Sequence, residues 1–94
     1  MRVAWTRRAI RRLDSIHDFI SQDSPSTAER VVGAIYDRTN AALRENPYLG
    51  RRGIRPGTRE FVLANIPYFV VYRVTDRVVD VLTVRHTAQD PDGD

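Results

Sequence analysis

Hydrophobic positions recur every three to four residues in the first half of the chain, then alternate or run in short bursts in the second half. That change of period predicts a helical part followed by a stranded part. Between Thr6 and about Gln22, Ala9, Ile10, Leu13, Ile16, His17 and Ile20 fall on one stripe of a helical wheel, with Thr6 as N-cap. Arg8, Arg12, Ser15 and Phe19 take the opposite side, leaving one aromatic ring on a polar face. A second stripe, Ala28, Val31, Val32, Ile35, Thr39, Ala42 and Leu43, starts behind Ser24-Pro25 and stops before Asn46-Pro47. A hydroxyl cap followed by proline at the first helical position is a strong helix start. With only Asp23-Ser24 between them, the two helices should form an antiparallel hairpin. Gly33 sits mid-helix, where it costs about 1 kcal/mol relative to Ala; the expectation is that it permits close packing.

Arg2 to Trp5 is short and alternating, a first strand. Residues 46–57 hold three Gly, two Pro and three Arg and read as an ordered basic loop with a short strand at Gly53 to Arg55. Three strands follow at roughly 58–65, 68–75 and 78–86, separated by Pro67 and by the turn Thr75-Asp76-Arg77. The order β-α-α-β-β-β predicts an α+β fold, a helical hairpin on one face of a small, largely antiparallel sheet. Val62, Val70, Val71, Val74, Val81, Leu82 and Val84 are expected to meet the helices, leaving the other sheet face open for functional polar groups. One domain over 1–89 is predicted, with an acidic, frayed tail at 90–94.

Composition narrows the chemistry. No apolar run approaches the roughly 20 residues of a membrane span, so no membrane association and a cytoplasmic location are expected. The chain has no Cys, which excludes disulfides and thiolate metal sites. No metal-ligand spacing, phosphate-binding glycine loop or nucleophile elbow is present, so no metal and no cofactor are expected. All fifteen basic residues are Arg, and three of the twelve acids fall within the last five residues. The body is therefore basic and suited to an acidic partner, whether nucleic acid or an acidic protein segment. Arg pairs with either through a planar, bidentate fork.

The candidate residues cluster in the stranded half. Arg59 follows Gly57-Thr58, a tight turn that aims its guanidinium; it either recognises an anion on a target or braces the sheet edge. Arg73 and Arg85 could clamp a phosphate together or pair across strands with acids such as Asp80 and Glu60. His86 is the candidate general base near the sheet, with Glu60, Tyr68 or Tyr72 as a second group. Adjacent residues of one strand point to opposite faces, so Arg85 and His86 cannot share a site. His17 lies on the apolar stripe and reads as a core or boundary residue.

Gly57-Thr58-Arg59-Glu60-Phe61-Val62 followed by Pro67-Tyr68-Phe69-Val70-Val71-Tyr72-Arg73-Val74 resembles the RelE/ParE superfamily of bacterial type II toxins. Trp5-Thr6, Asn46-Pro47-Tyr48-Leu49-Gly50-Arg51 and Val84-Arg85-His86-Thr87-Ala88-Gln89 extend the resemblance along nearly the whole chain. It implies a toxin that arrests growth and is neutralised by a small acidic antitoxin, ParD-like or of another type. In the mRNA-cleaving members an Arg at the position of Arg59 contacts phosphate, which would make Arg59, Arg85, His86 and Tyr68 the catalytic candidates. Where the YoeB-type ribonucleases carry a His-Tyr pair, this chain has Thr87 and Ala88, with His86 one position early. The helical hairpin and the loop after Asn46 look more like ParE, the gyrase-poisoning, plasmid-stabilizing branch. Target binding is then expected at Arg59, Arg73, Arg85 and His86, and antitoxin binding at Arg8, Arg12, Phe19, Arg51 and Arg52. The alternatives are a RelE-like endoribonuclease acting on mRNA at the ribosome, and a non-toxic interaction domain of the same fold.

Overall fold

A computed structural model describes residues 1–88; Gln89 and the acidic stretch 90–94 lie outside the described residues. The chain order is β1 (Arg2–Trp5), α1 (Arg7–Ser21), α2 (Pro25–Glu45), β2 (Arg51–Arg52), β3 (Arg59–Val62), β4 (Tyr68–Val74) and β5 (Val78–His86). The five strands form one sheet in the order β1-β5-β4-β3-β2, parallel only between β1 and β5.

Thr6 makes the switch from strand to helix in one residue. Its hydroxyl accepts the Ala9 N–H at 3.2 Å, capping α1, and donates to the Val81 carbonyl at 2.8 Å. The start of α1 is thereby pinned to β5. The second cap is as expected: Ser24 accepts from the Thr27 N–H, with Pro25 opening α2. Trp5 donates to the Asn40 side chain at 2.7 Å and its ring meets that of Tyr36, joining β1 to α2. His17, half-exposed, reaches Glu29 across the helical hairpin at 2.8 Å, a boundary residue rather than a core one.

The core lies between the helices and one sheet face, where Ala9, Leu13, Ile16, Ile35 and Leu43 meet Tyr68, Val70, Tyr72, Val79, Val81 and Val84. Several strand residues expected there are not in it. Tyr72 pairs with Val81 but Val71 with Thr83, so β5 holds one extra residue beside Leu82. This bulge resets the alternation: Val79 and Val81 precede it, and Val84 follows it, on the same inward face. Leu82 and Val71 are only half-buried, and Val62 is exposed. The strict alternation of a regular strand cannot anticipate such a reset.

Three further expectations need correcting. Gly33 permits no close packing, since a Cβ built there would meet nothing within 4 Å. The short strand lies at Arg51–Arg52, not Gly53 to Arg55, because the Arg55 carbonyl accepts both the N–H and the hydroxyl of Thr58 and turns the chain there. β3 stops at Val62 rather than 65 because Asn65 adopts a left-handed conformation, φ 65°, in the turn before Pro67.

Candidate functional site: a locked loop, a basic hollow and an apolar groove

Arg59 and Tyr72 are cross-strand neighbours at one end of the sheet. The Tyr72 ring is fully buried, and its hydroxyl accepts the Gly50 N–H at 2.8 Å. Arg59 donates to the Gly50 carbonyl at 2.8 Å and to the Tyr48 carbonyl at 3.3 Å, with its guanidinium 5.0 Å from the Tyr48 ring centroid. Both polar groups of the Gly50 backbone are thus held by side chains from the sheet. Only glycine fits: a Cβ at position 50 would sit 2.7 Å from the Tyr72 hydroxyl and 2.8 Å from the Glu60 carbonyl. Burial pushes the Tyr72 phenol above its ordinary pKa, outweighing the opposite pull of the Gly50 N–H and of the Arg59 charge. The phenol therefore stays neutral and in place. Arg59, expected either to recognise an anion on a target or to brace the sheet edge, donates to both loop carbonyls through Nη1.

On the sheet face away from the helices, Arg51 and Arg52 border a hollow of about 410 Å³ with Gly53, Ile54, Glu60, Phe69 and Thr87. Arg51 pairs with Glu60 at 2.9 Å, and its guanidinium lies 5.9 Å from the Phe69 ring centroid. Arg85 faces the same side, opposite Phe69, beside Ile54, Arg55 and Glu60. Arg73 is exposed on this face too, in register with Asp80.

His86 looks the other way. In register with Tyr68, it meets that ring edge-on at 5.1 Å between centroids, and its Nδ1 accepts the Ala88 N–H at 3.0 Å. Arg12, Ile16, Phe19, Tyr68 and His86 line a groove of about 400 Å³ between α1 and the end of the sheet. Phe19 is 69% exposed at its rim. Arg12 is not on a freely solvated face as its wheel position implied: its Nε donates to the Val84 carbonyl at 2.9 Å, so the side chain bends across to β5. Arg8 is exposed near the start of α1.

The fold thus divides the candidate residues. Arg12, Phe19, Tyr68 and His86 meet at the groove; Arg51 and Arg85 line the hollows on the outer face; Arg52, in register with Arg59, also borders a hollow beside Tyr48; Arg59 is built into the loop lock. Of the candidate acids, Glu60 is ion-paired and Tyr72 is fully buried. Among the described residues no group of three or more His, Cys, Asp or Glu could hold a metal. None of their helices is long and apolar enough to cross a membrane.

Residues 3–91 match the family model of the ParE toxin of type II toxin–antitoxin systems, parDE. The chain belongs to the ParE toxin family. It is 49% identical over 88 residues to Y4kP of Sinorhizobium fredii, described as a candidate toxin, covering 94% of this chain and 90% of that protein. It is 39% identical over 88 residues to the toxin RelE2 of Caulobacter vibrioides, covering 93% and 96%. Among solved structures, a chain of the chromosomal ParDE toxin–antitoxin system of P. aeruginosa superposes with a TM-score of 0.81 at 28% identity, covering 92% of this chain and 95% of that one. The α+β architecture expected from sequence is that of RelE/ParE toxins, and the protein is a toxin of that superfamily.

Sequence reasoning missed the lock. Its parts were visible separately, as Asn46-Pro47-Tyr48-Leu49-Gly50 and as Tyr72-Arg73, but nothing in their spacing joins them. Gly50 was the available signal, since a glycine just before a strand often marks a close approach by another group.

Proposed function

We propose that this toxin acts without cleaving RNA, by poisoning DNA gyrase, and that a small acidic antitoxin neutralises it. The observation that supports this reading is the division of the ribonuclease candidates. Strand cleavage by 2′-hydroxyl attack needs a base, an acid and a phosphate-stabilising cation converging within hydrogen-bond reach of one phosphodiester. Here His86 and Tyr68 face the α1 groove, Arg85 faces the opposite side of the sheet, and Arg59 holds the Tyr48 and Gly50 carbonyls. The ParE family model and the ParDE likeness favour the same branch.

For the antitoxin, the groove beside α1 suits an amphipathic segment whose apolar side chain fills the space next to Phe19 and whose acids face Arg8 and Arg12. Arg51 and Arg52 would meet a second stretch of it across the outer face. The antitoxin assignment draws on the likeness to a toxin–antitoxin system.

The name of the 39% identical relative, RelE2, is the observation on the side of a ribosome-dependent mRNA endoribonuclease. The two readings differ in which synthesis stops first. Induced expression in a bacterial host should halt thymidine incorporation and switch on the SOS response while leucine incorporation continues. Immediate loss of leucine incorporation with cleaved mRNA would reverse the assignment.

A further inference from the structure

Beside the Gly50 lock, Tyr48, Arg52, Arg59 and Val74 line a hollow of about 560 Å³ with the turn that carries Ile54 and Gly57. Strand register builds it. Arg52 stands opposite Arg59 across β2 and β3, and Arg59 stands opposite Tyr72 across β3 and β4. Residues paired in this way share a face of the sheet. No helix residue lines the hollow, because α2 has already ended at Glu45. Tyr48, 60% exposed, takes that place.

Two cations directly opposite across a strand pair repel, and nothing nearby relieves these two. No Asp or Glu lines the hollow. From Arg51 to Arg59 the chain carries four arginines and no acid. Glu60, the next residue, belongs to the other face of the strand and pairs with Arg51. Among the described residues neither Arg52 nor Arg59 has a carboxylate partner. Arg59 meets both loop carbonyls through Nη1, so its Nε and Nη2 have no hydrogen-bond partner among the described residues. The Tyr48 ring beside that guanidinium adds an exposed aromatic surface. Other candidate arginines are differently placed: Glu60 neutralises Arg51, and the Val84 carbonyl holds Arg12.

We propose that this hollow binds a nucleotide, with Arg52 and Arg59 on the phosphate and the base stacked against Tyr48. A phosphate between two guanidiniums replaces their repulsion with charge-assisted hydrogen bonds. Its oxygens match the planar donor edge formed by Nε and Nη2 of Arg59. An aromatic ring next to basic side chains is how proteins hold an unpaired nucleotide, base on ring and phosphate on cation. The volume suits one such unit, since small-ligand sites span roughly 300–1,000 Å³. A free nucleotide and a single DNA strand offer the same phosphate and base, so experiment must separate the two sources. The site stands on register and charge, independently of whether the toxin poisons gyrase.

The full chain is titrated at low salt with inorganic phosphate, adenosine monophosphate and a short fluorescein-labelled oligothymidylate. Arg52→Ala, at an exposed position, should weaken either nucleotide ligand about tenfold or more, on the scale of a lost hydrogen bond to a charged group. Tyr48→Ala should weaken the nucleotide ligands and leave inorganic phosphate unchanged. Arg30→Ala, which removes an exposed arginine of α2, controls for net charge and should bind as the parent does. Thermal melting confirms that each variant is folded. Tighter binding of the monophosphate assigns the site to a free nucleotide, and tighter binding of the oligonucleotide assigns it to a DNA strand. No binding of either, undiminished binding by folded Arg52→Ala or Tyr48→Ala, or an equal loss in Arg30→Ala would overturn the proposal.

Discussion

Tyr68 and Tyr72 stand four residues apart on the same face of β4, with Val70 between them, and they show how neighbours set a side chain's role. Tyr72 lies where α2 returns to the sheet. Its hydroxyl holds the Gly50 N–H, and Arg59 holds the carbonyl of the same residue. Tyr68 lies at the other end, where α1 leaves a groove, and its ring forms a wall with Phe19 and His86. One end of the strand is closed by polar contacts that fix a loop. The other end is open, apolar and basic at the rim. The closed end is a scaffold for the arginines of residues 51–55; the open end is the surface proposed above for the antitoxin.

Breaking the closed end should have the largest effect. Tyr72→Ala removes a fully buried ring and should cost about 3–5 kcal/mol, as large-to-small core changes do. Tyr72→Phe keeps the ring but strands the Gly50 N–H, an expected loss of about 1–3 kcal/mol by denaturant unfolding. The raised Tyr72 pKa adds a sign to this. The neutral phenol is favoured in the fold, so its stabilisation is complete below the ordinary tyrosine pKa of 10.0 and is lost as pH rises past that value. Tyr72→Phe should flatten that alkaline decline; an equally steep decline in the variant would assign it to other groups.

Arg59 sharpens the comparison, because the sequence supports two roles for it. A residue aimed at the target would lose toxicity on Arg59→Ala with little loss of stability. The carbonyl contacts at Tyr48 and Gly50 lead to the other outcome: a loss of about 1–3 kcal/mol, from charge-assisted hydrogen bonds, with growth inhibition falling in step. Arg59→Lys should recover little of either, since an ammonium cannot serve two carbonyls and stack on Tyr48 in the same way. Toxicity abolished at an unchanged melting temperature would return Arg59 to target recognition.

At the open end the effects on stability should be small and those on partner binding larger. Phe19→Asp leaves an already exposed position exposed, so its melting temperature should stay near that of the parent. Neutralisation by a co-expressed antitoxin should nevertheless weaken. An antitoxin that rescues this variant as well as the parent would remove the groove from the interface. The smallest change is Gly33→Ala. A Cβ there meets nothing within 4 Å, so the substitution should stabilise by up to about 1 kcal/mol through helix propensity.

These two ends were not equally legible in the sequence. The caps at Thr6 and Ser24, most of both helical stripes and the exposed Phe19 follow from local patterns, and the folded chain keeps them, whereas Ile10, expected on the core stripe, is exposed. The opposed directions of Arg85 and His86 follow from strand alternation alone. What local pattern could not give was the extra residue in β5, which moves Leu82 off the core face. Nor could it give the lock, in which the Tyr72 and Arg59 side chains hold the backbone of Gly50, 22 and 9 positions away. Arg12 was misplaced for a related reason. A helical wheel sets a Cα direction, but a long side chain can bend back to a neighbouring strand, as Arg12 does to Val84.

His86 at the open end and the arginines of the outer face lie on opposite sides of the sheet and are proposed not to form a nuclease. Purified toxin should be incubated in parallel with gyrase plus supercoiled plasmid and with ribosomes translating a defined mRNA, alongside its His86→Ala variant. Trapped gyrase–DNA cleavage complexes, intact mRNA and a variant as potent as the parent are expected. A general base typically contributes about 10²–10⁴-fold in rate. Ribosome-dependent mRNA cleavage that falls by that factor in His86→Ala, with gyrase unaffected, would contradict that proposal.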